Sequence, residues 1–504
     1  MADQKHKILT KTLYVNGLGC PKSLWLAIND PDRLPAVNES ARFTMHQGRL
    51  VGELARKRYP KGVLLPAEGT EENDKRSHGL LEKRVPLFEA GFFDPSGACY
   101  ARADVLLPVG KDAWDILEVK SATSVSPEHV HDVAFQRFCY TGAGLKIRKS
   151  GLLLVNSEYV LSGELDPSQL LNEVDVSDAV LKVEPTVPGN VERLLGVARS
   201  KKCPEFGQGE PFHKDEAGVH EEDSIWREHP GSDILDLYRG GKHAIALLES
   251  GVYRIEDIPK SVVLKGKQVI QHAAHSSGKV QIDRTRIVAF LERLRYPLHF
   301  LDFETTFGTA IPIFDGTRPY QQIPFQFSVH VVDSPDEEPH HHWFLSVEPK
   351  DPRKTLMDAL RKAIGPKGHL VAYNQSFEKS RLEELAAFLP EHADWVADVN
   401  GRFVDLIVPF REFAYYNPAQ EGSASLKAVL PAVTGHGYEG LEISNGGQAS
   451  LAYLYTAFGT PEGKRALPQE VEATRRALER YCAQDTEGMV RIVQKLTEIA
   501  VSAD

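Results

Sequence analysis

A chain of 504 residues, 42% hydrophobic and 26% charged, is too long for one ordinary domain and predicts about two or three globular ones. Its formal net charge of −11 excludes a protein that coats nucleic acid by charge alone, so any such groove must be a local basic strip on an acidic body. No apolar run approaches the roughly 20 residues that span a bilayer, the polar start from Met1 to Lys7 leads into no signal core, and five scattered cysteines argue against a disulfide framework, so a cytoplasmic protein without a membrane partner is expected.

Residues 1–188 read as mixed helix and strand. Ala101 to Pro108 is strand-like, a polar turn follows at Gly110-Lys111-Asp112, and Trp114 to Lys120 completes a hairpin. Residues two apart on a strand share a face, so Glu118 and Lys120 point to the side that also carries Trp114 and Ile116. Taken alone, Glu-x-Lys there reads as a cross-strand ion pair. The next helix adds weight, because Asp132, Gln136 and Tyr140 recur every four residues as a polar stripe opposite Val130, Val133 and Phe138.

These pieces resemble the PD-(D/E)xK nucleases of the RecB-like branch, which have a restriction-endonuclease-like fold. The resemblance implies that Asp104 and Glu118 hold one or two Mg²⁺ or Mn²⁺ ions. It also implies that Lys120 positions water or stabilises phosphate charge, and that Gln136 and Tyr140 orient the site or the substrate. One departure is Gly52, which stands where that branch carries a metal-binding His; Glu53 or His46 would substitute. A second concerns Cys20, in Gly19-Cys20-Pro21-Lys22-Ser23-Leu24-Trp25. It matches the early cysteine of cluster-binding members, but only Cys203 stands late, and two thiolates cannot supply the four ligands of a [4Fe–4S] cluster. No iron–sulfur cluster is expected, and Cys20 reads as a buried structural thiol.

Residues 189–294 read as a connector. Gly189 to Gly231 is rich in Gly, Pro, His and charge and predicts a linker or loop-rich insertion, with a solvated acidic, His-rich run from Phe212 to His229. A short helical region follows, from Asp233 to Leu294.

Residues 295–504 alternate strand and helix signals, which predicts an α/β domain with a mixed sheet and flanking helices. Leu298 to Thr305 is apolar on both faces and reads as a buried strand. Asp302 and Glu304 share a face with Leu298 and Phe300, and two buried carboxylates side by side repel each other unless a hard cation joins them. His340-His341-His342 reads as an exposed loop or hairpin edge. His369 to Asn374 is a strand and turn before a helix through Leu389. Glu378 then lies in its first turn, behind a Ser376 cap, where the helix dipole alone favours an acid. Asp405 is a second acid nearby. Lys427 opens a further helix after Ser425. In the last helix, Leu478, Cys482, Met489, Ile492, Leu496 and Ile499 recur at alternating steps of three and four, and the missing member of that stripe is Asp485. Such an Asp is costly unless paired or ligating, and Tyr481 lies one turn before it.

In order, these segments resemble the tyrosine form of the DEDD exonucleases on the RNase H-like fold. The family uses Asp-x-Glu on the first strand, an Asn-x-x-(Phe/Tyr)-Asp segment, and Tyr-x-x-x-Asp on the final helix. The resemblance implies two Mg²⁺ or Mn²⁺ ions on Asp302, Glu304 and Asp485, with Glu378 as a further acid where Asp is usual, or Asp405 sharing that role. Tyr481 would orient or deprotonate water, and Asn374 and Lys427 would meet substrate. The early Cys-Pro-Lys-x-Leu-Trp, the RecB-like core and the exonuclease-like region also occur together in a bacterial family known only as a domain of unknown function. Pro319 to Ser328, expected as the loop and strand after Asp302 and Glu304, looks especially like it. The expected activity is metal-dependent hydrolysis of nucleic-acid phosphodiesters, 3′–5′ at the C-terminal site, on DNA in repair or in defence against foreign DNA. The alternatives are a binding module with degenerate nuclease folds and an RNA-processing exonuclease.

Overall fold

The computed structural model describes residues 7–34, 36–66, 69–204, 233–335 and 337–502; the expected solvated run from Phe212 to His229 lies outside them. The chain divides into two compact units, Met1–Trp226 with Gly308–Gln321, and Arg227–Phe307 with Gln322–Asp504. Both are mixed α/β. No helix among the described residues is long and apolar enough to cross a membrane.

The first unit is built on a mixed sheet with the strand order Val63–Leu64, Leu87–Phe93, Cys99–Val109, Ala113–Lys120, Lys146–Val155, Leu171–Asp175, with Leu9–Thr10 added beside Cys99–Val109. The central hairpin is antiparallel, as a hairpin must be, and pairs Val105 with Leu117. Pro127–Gly142 starts at a capping box between Ser126 and His129, with Pro127 at the start where its missing N–H costs nothing. It buries Val130, Val133, Phe135 and Cys139 in the same cluster as Trp114 and Ile116.

Two expectations are corrected here. The linker was expected from Gly189, but Val187–Arg199 is a helix that buries Val187, Val191, Leu194, Leu195 and Ala198. Pro188 lies in its first turn, where proline is tolerated, so the three-and-four spacing of apolar residues prevails over the Pro-Gly pair. Cys20 is only half-buried. Its sulfur caps the helix Pro21–Asn29, accepting from Ser23 N at 3.4 Å.

The second unit carries a five-stranded sheet in the order His340–Leu345, Pro324–Val332, Leu298–Thr305, His369–Ala372, Phe403–Asp405. The first three strands are antiparallel and the last two run parallel to Leu298–Thr305. The three histidines lie on the edge strand, as their exposure requires. Leu298–Thr305 is buried on both faces: Leu298 and Phe300 join Met489, Ile492 and Leu496, while Leu301 and Phe303 join Leu356, Leu360 and Leu382. The last helix, Pro468–Val501, covers the first of these faces. Ser376 is the first residue of Ser376–Phe388 and does not cap it; Gln375 holds the cap position with no side-chain bond.

The expected loop after the Asp302–Glu304 strand divides between the two units. Pro324–Val332 is the neighbouring strand, whereas Gly308–Gln321 belongs to the first unit. There Ala310 N donates to Gln47 Oε1 at 3.1 Å, Leu161 N donates to Thr317 O at 3.0 Å, and the Tyr320 hydroxyl donates to Ser121 O.

Candidate functional site

In the second unit, strand alternation turns Asp302 and Glu304 to the face covered by the last helix, beyond Leu298 and Phe300. Cys482 Sγ lies 3.5 Å from Asp302 Oδ2. One ligand atom each from Asp302, Glu304 and Cys482 all fall within 4.8 Å of one another, close enough to share a cation. Asp485, one turn further along the helix, is 6% exposed, so it is turned inward. It accepts hydrogen bonds from the hydroxyls of Tyr438 and Tyr481.

The charges explain each other. Burial first, then Asp485, Glu304 and Glu378, pushes the Asp302 carboxyl well above the carboxylate range. Glu304 is raised in the same way, by burial, Asp485 and Glu378, against the pull of Lys427. Asp485 rises to about 6 through burial, held down by Tyr438, Lys427 and Tyr481. Glu378, 3% exposed, is pushed up to about 8, chiefly by burial, and its Oε2 has no hydrogen-bond partner among the described residues. Asp302 and Glu304 therefore feel Asp485 and Glu378, whereas Asp405 acts on Glu378. Asp405 Oδ1 instead accepts from the backbone N–H of Asn374 at 2.9 Å and of Ile407 at 3.2 Å. That bond secures Asn374 in its left-handed conformation (φ 71°) at the strand-to-helix turn, which an Asn tolerates.

Lys427 is half-buried, not a solvated helix-start lysine. Its Nζ lies 5.5 Å from the Tyr481 ring and 5.8 Å from the Tyr438 ring. Burial lowers its pKa while Asp485, Glu304 and Asp302 raise it. The Tyr481 phenol is held far up by burial and by the same carboxylates, so in this arrangement it is a hydrogen-bond donor and not a base. Tyr438 escaped the sequence reading. It sits between the helices Leu426–Thr434 and Gly446–Phe458, where no periodicity operates. Cys482 was visible only as an apolar member of the helix stripe.

In the first unit the hairpin and helix also converge. Glu118, 2% exposed, accepts from Lys120 Nζ at 3.0 Å and Gln136 Nε2 at 2.8 Å. Lys120 Nζ reaches Asp132 Oδ2 at 2.5 Å, and Gln136 Nε2 reaches Asp132 Oδ1 at 3.0 Å. Asp104 Oδ2 accepts from Val119 N at 2.7 Å. Lys11, which no motif marked, completes the group: its Nζ lies 2.5 Å from Glu118 Oε1 and feels Asp132, Glu118 and Asp104. Those acids outweigh its burial and hold the ammonium well above the ordinary lysine range. Tyr140 is fully buried; its hydroxyl accepts from Ala103 N at 2.7 Å and donates to Ala90 O. It ties the helix to the sheet. Glu53 is exposed and His46 half-buried, and neither appears among these contacts of Glu118 and Asp132.

Residues 299–425 match the family described as Domain of unknown function (DUF2779). That stretch holds Asp302, Glu304, Asn374, Glu378 and Asp405 and stops just before Lys427. The chain is also similar to the "Uncharacterized protein MG366 homolog" of Mycoplasma pneumoniae, 27% identical over 221 residues, which are 40% of this chain and 32% of that protein. The chain therefore spans about a third of the length of the curated relative it matches.

Proposed function

We propose that this protein is a divalent-metal-dependent nuclease whose second unit, RNase H-like in fold, trims nucleic acid from the 3′ end. The observation that carries the reading is the group of four inward-facing acids, half-buried Asp302 with buried Glu304, Glu378 and Asp485, all held up by burial, Asp302 and Glu304 also by their acidic neighbours. Nothing in packing favours such a group; a hard dication does. The donor set fits Mg²⁺ or Mn²⁺: carboxylate oxygens dominate, one buried oxygen of Glu378 lacks a partner, and Cys482 is the lone soft atom. Asp302, Glu304 and Asp485 would hold the ions, with Glu378 beside them. Bound divalent cations lower the pKa of water and stabilise charge on a phosphoryl centre and its leaving oxygen. Around them Tyr481 and Tyr438 fix Asp485 by donating to it, the Tyr481 oxygen can accept from a water and so orient it, and Lys427 offers a cation to a phosphate oxygen.

The first unit reads as a PD-(D/E)xK-like site that is weaker toward metal. Asp104, Glu118 and Asp132 already face two ammonium groups, Lys11 and Lys120, which reduces their attraction for a dication. That same observation favours a second reading for this unit alone, a nucleic-acid grip that needs no metal. The polymer we put first is DNA, with RNA as the alternative.

The test is cleavage by the full chain of 5′- and 3′-labelled single- and double-stranded DNA and RNA, with Mg²⁺, Mn²⁺ or EDTA. Stepwise shortening from the 3′ end, silent in EDTA, is expected. Asp302→Asn should cut the rate by on the order of 100-fold or more, as misplacing a reacting group does. A chain that leaves every substrate intact with both metals would end the proposal.

A further inference from the structure

Lys11 has a second environment besides Glu118. The strand Leu9–Thr10 runs parallel to Cys99 and Tyr100, which delivers Lys11 to the level of Ala101, next to Arg102. Both side chains line a cavity of about 280 Å³, together with Thr10, Thr12 and Thr70. Among the described residues, none lining it is acidic. Arg102 meets Glu89 at 3.9 Å, a loose contact in which both side chains stay about one-third exposed. The helix Thr70–Leu80 opens on the same cavity behind Gly69, which has no side chain to satisfy the first amides of the helix. Two cationic side chains and three threonine hydroxyls therefore line one small space.

We propose that this cavity is a subsite for a phosphomonoester at the end of a nucleic-acid strand, next to the Glu118 network. It rests on the reading of this unit as one that handles nucleic acid. Charge favours the end over the middle of a strand. A phosphomonoester carries about −1.5 to −2 at neutral pH and so gains more beside Arg102 and Lys11, which Glu118 already shares, than an internal phosphodiester with its single charge. Size agrees, because the cavity is below the roughly 300–1,000 Å³ of pockets for larger ligands. Arg102 can grip two phosphate oxygens at once, and Lys11 joins that phosphate to the Glu118 carboxylate it already holds. A strand end seated here would leave its adjoining phosphodiesters beside Lys120 and Glu118.

The experiment measures binding of fluorescent single-stranded oligonucleotides by anisotropy, with the full chain in EDTA. The ends are 5′-phosphate, 3′-phosphate or hydroxyl only, and inorganic phosphate is the competitor. One phosphorylated end should bind about tenfold tighter than hydroxyl ends, as a charge-assisted contact gives. Inorganic phosphate should erase that margin, and Arg102→Gln should remove it while leaving hydroxyl-ended binding within about twofold, as a change confined to one contact does. If that variant is poorly folded, Thr12→Glu, at an exposed position, puts a negative charge at the cavity and should remove the same margin. Equal binding of phosphorylated and hydroxyl ends by the wild type would overturn the subsite alone. A margin that survives in a folded variant would overturn it too. Failure of every oligonucleotide to bind would overturn the nucleic-acid reading of the unit along with it.

Discussion

Glu378 shows how much one position can conceal. In the sequence it is an acid in the first turn of a helix, where the dipole is reason enough for it. In the fold it is 3% exposed, faces Asp302 and Glu304 electrostatically and titrates near 8. The sign of the resulting pH dependence follows from linkage. Between the ordinary Glu range and about 8 the folded chain holds a proton that the unfolded chain has lost, so stability falls as pH rises across that window. Asp485 acts likewise up to about 6. Thermal melts in EDTA should therefore drop between pH 5.5 and 8.5, Glu378→Gln should flatten that drop, and Mn²⁺ should reverse it by binding the ionised form. A wild-type melting curve equally high at both pH values would show that these acids are not held up by burial. Asp302, Glu304 and Asp485 were legible because each breaks a local pattern of apolar residues. Tyr438 and Lys11 were not, since their partners lie 47 and 107 residues away and no pattern along the chain encodes such a contact.

Elements were legible where a period ran unbroken. The strand Leu298–Thr305 follows its continuous apolar run, the hairpin from Cys99 to Lys120 its two strand-like runs around a polar turn, and the helix Pro468–Val501 its three-and-four spacing. Punctuation misled at Pro188 and Gly189, where a Pro in the first turn starts a helix instead of ending one. The helix Pro127–Gly142 illustrates a subtler limit. Its stripe of Asp132, Gln136 and Tyr140 is real, but its members differ in role. Asp132 and Gln136 bond into the Glu118 network, whereas Tyr140 ties the helix to the backbone of Ala90 and Ala103. Tyr140→Phe should therefore cost about 1–3 kcal/mol in urea unfolding, the usual penalty for stranding buried backbone partners, and leave oligonucleotide affinity within about twofold. Affinity lost at unchanged stability would instead place Tyr140 against substrate.

At the scale of the whole molecule, two units each bring their acids together, and the chain crosses between the units more than once, because Gly308–Gln321 leaves the second to pack in the first. That excursion was invisible in the sequence: the segment follows Asp302 and Glu304 closely, so proximity along the chain assigned it to their domain. Its bonds to Gln47, Leu161 and Ser121 are long-range and carry no motif. What was legible is that there are two acidic constellations, and they differ in how their charge is compensated. The second unit opposes Asp302, Glu304 and Asp485 with half-buried Lys427 and Glu378 with Arg381, whereas the first opposes Asp104, Glu118 and Asp132 with Lys11 and Lys120, which both bond to Glu118. A dication therefore gains more in the second unit, and the two should separate by metal demand. Asp302→Ala should abolish 3′ trimming at any Mn²⁺ concentration. Any cleavage that survives should need more Mn²⁺ than the wild-type trimming does and should vanish in Asp302→Ala/Glu118→Ala. Glu118→Ala alone should leave trimming intact while weakening the hold of Lys11 and Lys120, since both ammonium groups lose a shared acceptor. If Asp302→Ala removes all cleavage of every substrate yet oligonucleotide binding persists, the first unit is a grip for the strand and the second unit does all the cutting.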